Sequence, residues 1–200
     1  MKKVFEIKDK SIIEEMLDKA EYGTLAICSN DRPYSLPINF IFINDEIYFH
    51  GSKKGKKIDI LRVNQHASFS VVEPYSMIQS YFSSFDNLAC PATQFFKSII
   101  IDGEIKFVEE YDEKVKMLSM LMKKLQKEGG YRPLSEDVYK KAIDATLIYK
   151  LVPEKIKAKF KFGQNLTKEK FEMIVEHLKT RAKEEDLATI KLMKENFNGL

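Results

Sequence analysis

The chain has 200 residues, of which 44% are hydrophobic, and it carries 33 basic and 30 acidic side chains. This apolar share is enough to bury a core in one domain, or in one domain with a helical extension. A net charge of +3 does not indicate a nucleic-acid-binding surface, and no apolar run approaches the roughly 20 residues that a membrane helix needs.

The N-terminus and the cysteines predict a cytoplasmic protein. The first ten residues, MKKVFEIKDK, contain lysines but no apolar stretch after them, so we do not expect a secretory signal. Cys28 and Cys90 match no metal-binding or redox spacing, and free thiols are typical of the cytoplasm. No His/Asp or His/Asn arrangement supports Cys90 as a nucleophile.

The first third of the chain predicts a helix followed by strands. Ser11 and Glu14 form a capping-box pattern, and Gly23 is expected to end the helix that they begin. Residues 24–29 then form a strand. Residues 34–43 form a second strand with alternating faces, in which Pro37 indicates an edge position.

Further strands and helices follow. Residues 47–50 return as a strand, and a Gly/Ser/Lys loop then opens a helix from Ile58 to Asn64. Strands are also predicted over 67–73, 93–101, 104–109 and 145–152, with a bulge at Gly103. A long irregular loop is expected over 74–91.

The second half of the chain contains more helix. Helices are predicted over 112–128 and 135–144, and Thr167 caps a last helix whose end, after about Arg181, is expected to fray or to dock on a partner. The order of elements predicts an α+β fold built on an antiparallel barrel. We expect one domain over 1–152, with a helical insertion at about 112–144, and an extension over 153–200.

Residue patterns alone leave the functional residues ambiguous. The lysine loop at 51–57 is either an anion site at a helix start or, more commonly, a solvated loop. His50 could be a proton donor, a hydrogen-bond partner, a metal ligand or a structural residue. The small face formed by Ser35, Pro37 and Asn39 could be exposed or could line a planar ligand. The three scattered histidines predict no metal site.

Five ordered segments resemble the pyridoxamine 5′-phosphate oxidase-like, FMN-binding split-barrel family, and most of all its nitroimidazole-resistance branch. The resemblance covers about residues 11–110. The segments are 23–26 (GTLA), 34–40 (YSLPINF), 47–52 (IYFHGS), 55–62 (GKKIDILR), and 89–98 (ACPATQFFKS) followed by Gly103.

The resemblance implies a six-stranded antiparallel split β-barrel that forms a homodimer, with FMN at the subunit interface. It implies that Lys56 and Lys57 hold the phosphate. His50 and Gly51 run beside the flavin, and His50 lies at the active centre. The residues implied along the isoalloxazine ring are Ser35, Leu36, Pro37, Ile38 and Asn39. Lys97 and Ser98 are also implied to approach the cofactor.

The implied activity is that of an oxidoreductase in which NAD(P)H or another reductant delivers electrons to a small electrophile such as a nitroaromatic. Phe96 and Lys97 stand where the branch usually has Tyr-Arg, which predicts a weaker grip on an anion. An Arg-rich C-terminus is not evident, so vitamin B6 oxidation is disfavoured. The alternatives are a flavin sensor or store, a pyridoxamine 5′-phosphate oxidase-type enzyme, haem ligated by His50, or nucleic-acid binding through lysines 157, 159 and 161.

Overall fold

The computed structural model describes residues 2–84 and 88–197, and in these residues eight strands form one sheet. The strands are β1 (Glu6–Ile7), β2 (Tyr22–Ser29), β3 (Arg32–Asn39), β4 (Ile41–Ile43), β5 (Glu46–Gly51), β6 (His66–Ile78), β7 (Thr93–Val108) and β8 (Leu147–Lys161). They lie in the order β3-β2-β6-β7-β8-β5-β4, and β1 pairs with β8.

Six α-helices accompany this sheet in the described residues. They are α1 (Lys10–Lys19), α2 (Lys56–Val63), α3 (Tyr111–Leu125), α4 (Lys140–Ala145), α5 (Lys168–Arg181) and α6 (Glu184–Asn196). None of them combines the length and the apolar character that a membrane-spanning helix requires.

The α+β class and the antiparallel split-barrel sheet are confirmed, with eight strands in the described residues where six were expected. The difference comes from the two-residue β1 and from a break at Phe40 that separates β3 from β4. The Phe40 side chain is fully buried, and its carbonyl accepts a hydrogen bond from Lys124 Nζ at 3.3 Å. This carbonyl therefore accepts a hydrogen bond from a side chain, whereas in a continuous strand it would accept one from the backbone of the neighbouring strand.

The described chain divides into two compact units. The larger unit contains Asp9–Val71 and Ile100–Lys157, and the smaller unit contains Met1–Lys8, Val72–Ile99 and Ala158–Leu200. The division of the chain into domains at residue 152 stays a prediction, and β8 runs through that position without interruption.

Aromatic side chains fill the core of the larger unit. The ring of Phe69 makes edge contacts with Phe40 and Phe49, at centroid distances of 4.9 and 5.3 Å. Phe49 also stacks on Tyr149 at 5.2 Å. Edge-to-face and stacked rings pack densely, so these strands and their side chains form a rigid support for the residues next to them.

Gly103 lies within a continuous β7, so the expected interruption of the strand there is wrong, while a bulge at this position stays a prediction. A Cβ at this position would overlap the carbonyl oxygen of Val152 and lie 3.1 Å from the Cα of Pro153. The glycine is required by the close approach of two strands. A lone glycine in a strand sequence is compatible with either cause, and the sequence alone could not choose between them.

A charged cluster holds the C-terminal helices in the smaller unit. Asp186 is fully buried, accepts a hydrogen bond from Ser76 Oγ at 2.6 Å, and pairs with Arg181. Arg181 also donates to the carbonyl of Met77 at 2.7 Å. The expectation that the chain frays after Arg181 is therefore wrong for the described residues, because α6 is anchored by a buried ion pair.

Two smaller expectations also need correction. The first helix begins at Lys10, because Asp9 caps it by accepting a hydrogen bond from Ser11 N. The irregular segment expected over 74–91 begins with strand as far as Ile78, while residues 85–87 lie outside the described residues. In the lysine-rich part of β8, Lys159 pairs with Glu6 of β1.

Candidate functional site

The residues predicted to anchor a phosphate come together in the larger unit. Strand β5 ends with His50 and Gly51, and α2 begins at Lys56 after Gly55. Gly55 has a φ of 113°, a backbone conformation that a side chain would strain. The first backbone N–H groups of a helix have no partner within it. This turn therefore presents the amides of Lys56 and Lys57 as hydrogen-bond donors to an anion.

Lys57 is a half-buried cation for which residues 2–84 and 88–197 provide no anion. Its ammonium lies 5.0 Å from the centroid of the Tyr149 ring, and no carboxylate or hydrogen-bond acceptor in the described residues pairs with it. Burial lowers the pKa of Lys57. A Cβ on Gly51 would lie 3.0 Å from Lys57 Nζ, so the glycine leaves room for the ammonium. A nearby anion would remove the cost of burying this charge.

Two buried polar atoms lie on the strands beside this lysine. His50 Nδ1 and the Tyr149 hydroxyl have no hydrogen-bond partner in the described residues. Strand pairing sets Phe49 opposite Tyr149, and His50 opposite Ile148. Burial, followed by the charge of Lys57, lowers the pKa of His50, and burial raises the pKa of Tyr149. His50 is therefore a neutral imidazole at neutral pH.

Strand β3 places its five predicted residues on two faces. Ser35 and Pro37 are exposed, while Ile38 is buried. The amide of Asn39 donates to the carbonyl of Glu21 at 3.0 Å, so its side chain serves the backbone. Leu36 is half-buried. The strand is an end strand of the sheet, as the proline predicted.

The small face of β3 continues onto its neighbour. Ser35 pairs with Ala26 and Pro37 pairs with Thr24, and all four residues are exposed. The ammonium of Lys56 lies 4.4 Å from the centroid of the Tyr34 ring, which brings the start of α2 next to β3. A flat, small-residue surface and a cationic helix start therefore lie in the same unit.

Lys97 and Ser98 belong to the smaller unit. Lys97 Nζ lies 3.8 Å from the carboxylate of Glu73 and 5.2 Å from the ring centroids of both Tyr75 and Phe160. Its side chain is only 18% exposed, and Ser98 is half-buried. Lys97 already has an anionic partner, in contrast with Lys57, and a cofactor contact for Lys97 and Ser98 stays a prediction.

A separate cavity of about 440 Å³ lies in the larger unit. Three of its charges are paired with one another, because Lys150 Nζ lies 3.0 Å from the carboxylates of both Glu46 and Glu113. The Tyr48 hydroxyl lies 2.8 Å from each of the same carboxylates. Burial, then the hydrogen bond to Glu46, raises the pKa of Tyr48. Asp112 and Lys116 also line this cavity.

Solved structures of other proteins share this fold. A candidate 5-nitroimidazole antibiotic resistance protein from Bacteroides thetaiotaomicron matches with a TM-score of 0.63 at 22% identity, covering 77% of this chain and 85% of its own. An FAD and haem binding protein from Mycobacterium smegmatis matches with a TM-score of 0.64 at 21% identity, over 78% of this chain and 73% of its own.

The flavocytochrome Anf3 from Azotobacter vinelandii gives a TM-score of 0.64 at 20% identity, covering 78% of this chain and 69% of its own. At these identities the likeness establishes the fold. No curated protein matches the chain at a significant level. The sequence model described as pyridoxamine 5′-phosphate oxidase matches residues 9–160, which is most of the chain. The resemblance inferred from the sequence is thus confirmed, and the chain belongs to the pyridoxamine 5′-phosphate oxidase family.

Proposed function

We propose that the chain is an FMN-binding flavoprotein, and an oxidoreductase that reduces a small electrophile such as a nitroaromatic. The observation that carries this proposal is Lys57, a half-buried ammonium at the start of a helix, with which no carboxylate in the described part of the chain pairs. Membership of the family and the flavin-binding relatives make a flavin phosphate the anion of choice. FMN, when bound, supplies the redox chemistry.

The phosphate is bound by charge and by oriented amides. Lys57 supplies a point charge from within the protein, and Lys56 supplies a second from the exposed side of the same turn. The backbone N–H groups at the start of α2 add hydrogen bonds to the phosphate oxygens. Both contributions depend on Gly51 and Gly55, which leave room for the Lys57 ammonium and allow the turn.

The ring lies against the exposed face that Ser35 and Pro37 share with Thr24 and Ala26 of β2. Their side chains are small, so a planar ring could approach the sheet closely and contact backbone groups. Leu36 and Ile38 support this strand from the core side. Asn39 fixes its end by bonding to Glu21.

His50 and Gly51 border the ring on the other side. Because burial keeps His50 neutral, we propose that it acts as a hydrogen-bond donor that polarises the electron acceptor, rather than as an imidazolium acid. The Nδ1 atom of this imidazole is buried and has no hydrogen-bond partner in the described residues.

A second subunit completes the site in this proposal, with FMN at the homodimer interface. Tyr22 and Ile100 leave apolar surface exposed on the larger unit, at 60% and 43% of their full areas. In this proposal the second subunit covers both side chains. Lys97 and Ser98 contribute to the cofactor site in the same proposal. We further propose that the protein is cytoplasmic and that residues 1–152 form its flavin-binding domain.

The absorption spectrum of the purified protein tests this function. We expect a flavin spectrum, FMN on extraction, and bleaching during anaerobic titration with NADPH, followed by reoxidation when a nitroaromatic is added. If NADH and NADPH reduce the bound flavin no faster than they reduce free flavin, the result would support a sensor or store. FAD on extraction, or a Soret band from haem, contradicts the choice of FMN. A colourless protein whose melting temperature FMN does not change contradicts flavin binding altogether.

A further inference from the structure

Three potential metal ligands converge at a place that the flavin proposal does not use. His66, Glu104 and Glu154 lie on β6, β7 and β8, three neighbouring strands of the larger unit. One imidazole nitrogen and one oxygen from each carboxylate all lie within 4.8 Å of one another. His66 and Glu154 are exposed, and Glu104 is half-buried, so solvent ions can reach all three.

This convergence requires the outer side chains to lean inwards. Neighbouring strands lie about 4.8 Å apart, so the two outer strands of three are separated by roughly 10 Å. The ligand atoms of His66 and Glu154 nevertheless meet over the middle strand, where Glu104 lies. The three side chains therefore point to one common position.

The backbone beneath the cluster is fixed by specific contacts. The side chain of Asn64 accepts a hydrogen bond from His66 N at 3.1 Å, and Ile105 N donates to the carbonyl of Gln65 at 2.8 Å. Gly103 lets β7 pack directly against the backbone at Val152. Each ligand thus lies within two residues of a fixed contact, which favours a preorganised site.

The charges of the cluster are not balanced by protein cations. No lysine or arginine in the described residues forms an ion pair with Glu104 or Glu154. Another pair of carboxylates differs in this respect, because Glu46 and Glu113 both form an ion pair with Lys150. Two carboxylates this close repel each other unless a cation lies between them.

We propose that His66, Glu104 and Glu154 bind a Zn²⁺ ion. An imidazole favours a first-row transition ion over Mg²⁺ or Ca²⁺, and zinc accepts nitrogen and carboxylate ligands at about 2 Å. Small rotations of the two exposed side chains bring the three atoms to that distance. Three protein ligands leave a fourth position for water or for another ligand, as in zinc sites that bind or activate small molecules.

Zinc titration of the full-length protein tests the proposal. After removal of metals by a chelator, calorimetry with Zn²⁺ is expected to show one ion per chain. Each of the variants His66→Gln, Glu104→Gln and Glu154→Gln is expected to weaken binding at least tenfold. The matched control is Glu109→Gln, an exposed glutamate just after β7, which should bind zinc as the wild type does.

Thermal unfolding provides a second readout. Zinc should raise the melting temperature of the wild type and of Glu109→Gln, and should leave that of the three ligand variants unchanged. Without metal, Glu104→Gln should melt at or above the wild-type temperature, because it relieves the repulsion between two carboxylates. Zinc binding that none of the three substitutions weakens would come from Cys28, Cys90 or another histidine, and it would overturn the proposal. The proposal would also be overturned if the wild-type protein did not bind one zinc ion per chain.

Discussion

The ammonium of Lys57 lies 5.0 Å from the centroid of the Tyr149 ring, in a half-buried position that no carboxylate in the described residues shares. The aromatic face gives this ammonium a favourable contact, and such contacts contribute about 0.5–1 kcal/mol at partly exposed sites. This is less than an anion would contribute. We therefore infer that the lysine serves a bound ligand rather than the stability of the flavin-free protein.

Removing this charge should consequently stabilise the protein when no ligand is bound. Lys57→Met keeps the apolar stem and removes the half-buried ammonium, so we expect the free energy of unfolding to rise by about 1 kcal/mol. Urea unfolding of the flavin-free protein measures this change. Lys54→Met, at an exposed lysine of the same loop, is the control and should have almost no effect. A clear destabilisation by Lys57→Met would mean that the lysine is structural.

The stability of the flavin-free protein should depend on pH through His50. Its folded pKa lies below the ordinary value of 6.5, so the unfolded chain binds more protons between these two values. Stability should therefore fall as the pH drops below 6.5, by at most about 1.4 kcal/mol per pH unit for this single group. Urea unfolding at pH 7.5 and 5.5 should show a smaller loss in His50→Asn than in the wild type. Equal losses would contradict the burial of His50.

Gly103→Ala tests the close approach of β7 and β8. The new Cβ would overlap the carbonyl oxygen of Val152, which belongs to backbone and cannot rotate away. We expect a loss of about 2–4 kcal/mol in the free energy of unfolding. Lys106→Ala, at an exposed position of the same strand, should change it by less than about 0.5 kcal/mol. A neutral Gly103→Ala would show that the two strands can separate at no cost.

Asp186→Asn tests the anchor of the C-terminal helix. The carboxylate is fully buried, and the hydrogen bond from Arg181, ahead of those from Ser76 and Lys183, lowers its pKa to about 2. The neutral amide leaves Arg181 without its anion, so we expect a loss of about 3 kcal/mol. In the wild type this contribution should persist down to pH 3.8 and disappear between pH 3.8 and about 2.

Proteolysis gives Asp186→Asn a local readout. Cleavage after Lys183 or within α6 should become faster in the variant than in Glu185→Gln, which alters an exposed neighbour. Equal cleavage rates in the two variants would show that the buried ion pair does not hold α6 in place.

Local sequence patterns predicted the strands better than the contacts between them. The alternation from Tyr34 onwards predicted which residues of β3 face the core, and Pro37 correctly indicated an edge strand. The break at Phe40 could not be predicted, because it depends on a hydrogen bond from Lys124 on a distant helix. The anchored α6 depends likewise on the hydrogen bond that Asp186 accepts from Ser76, which is far away in the sequence.

The same limit applied to the site. Lys57 and His50 were selected because the motifs around them are contiguous in the sequence, and the structure places both in one unit. Tyr149 was missed because its only signal is its position opposite Phe49 in a strand pair. The cluster of His66, Glu104 and Glu154 was missed for the same reason, since its members come from three separate strands.

Parallel titrations with FMN and riboflavin test the phosphate site at Lys57 most directly, because the two flavins differ only by the phosphate. Fluorescence quenching of each flavin by the flavin-free protein gives both dissociation constants. We expect FMN to bind at least about tenfold more tightly than riboflavin, which corresponds to about 1.4 kcal/mol. Lys57→Met should remove most of this difference, and Lys54→Met should preserve it. Equal affinities for the two flavins in the wild type, or a preference for FMN that Lys57→Met leaves intact, would contradict the assignment of Lys57 as the phosphate anchor.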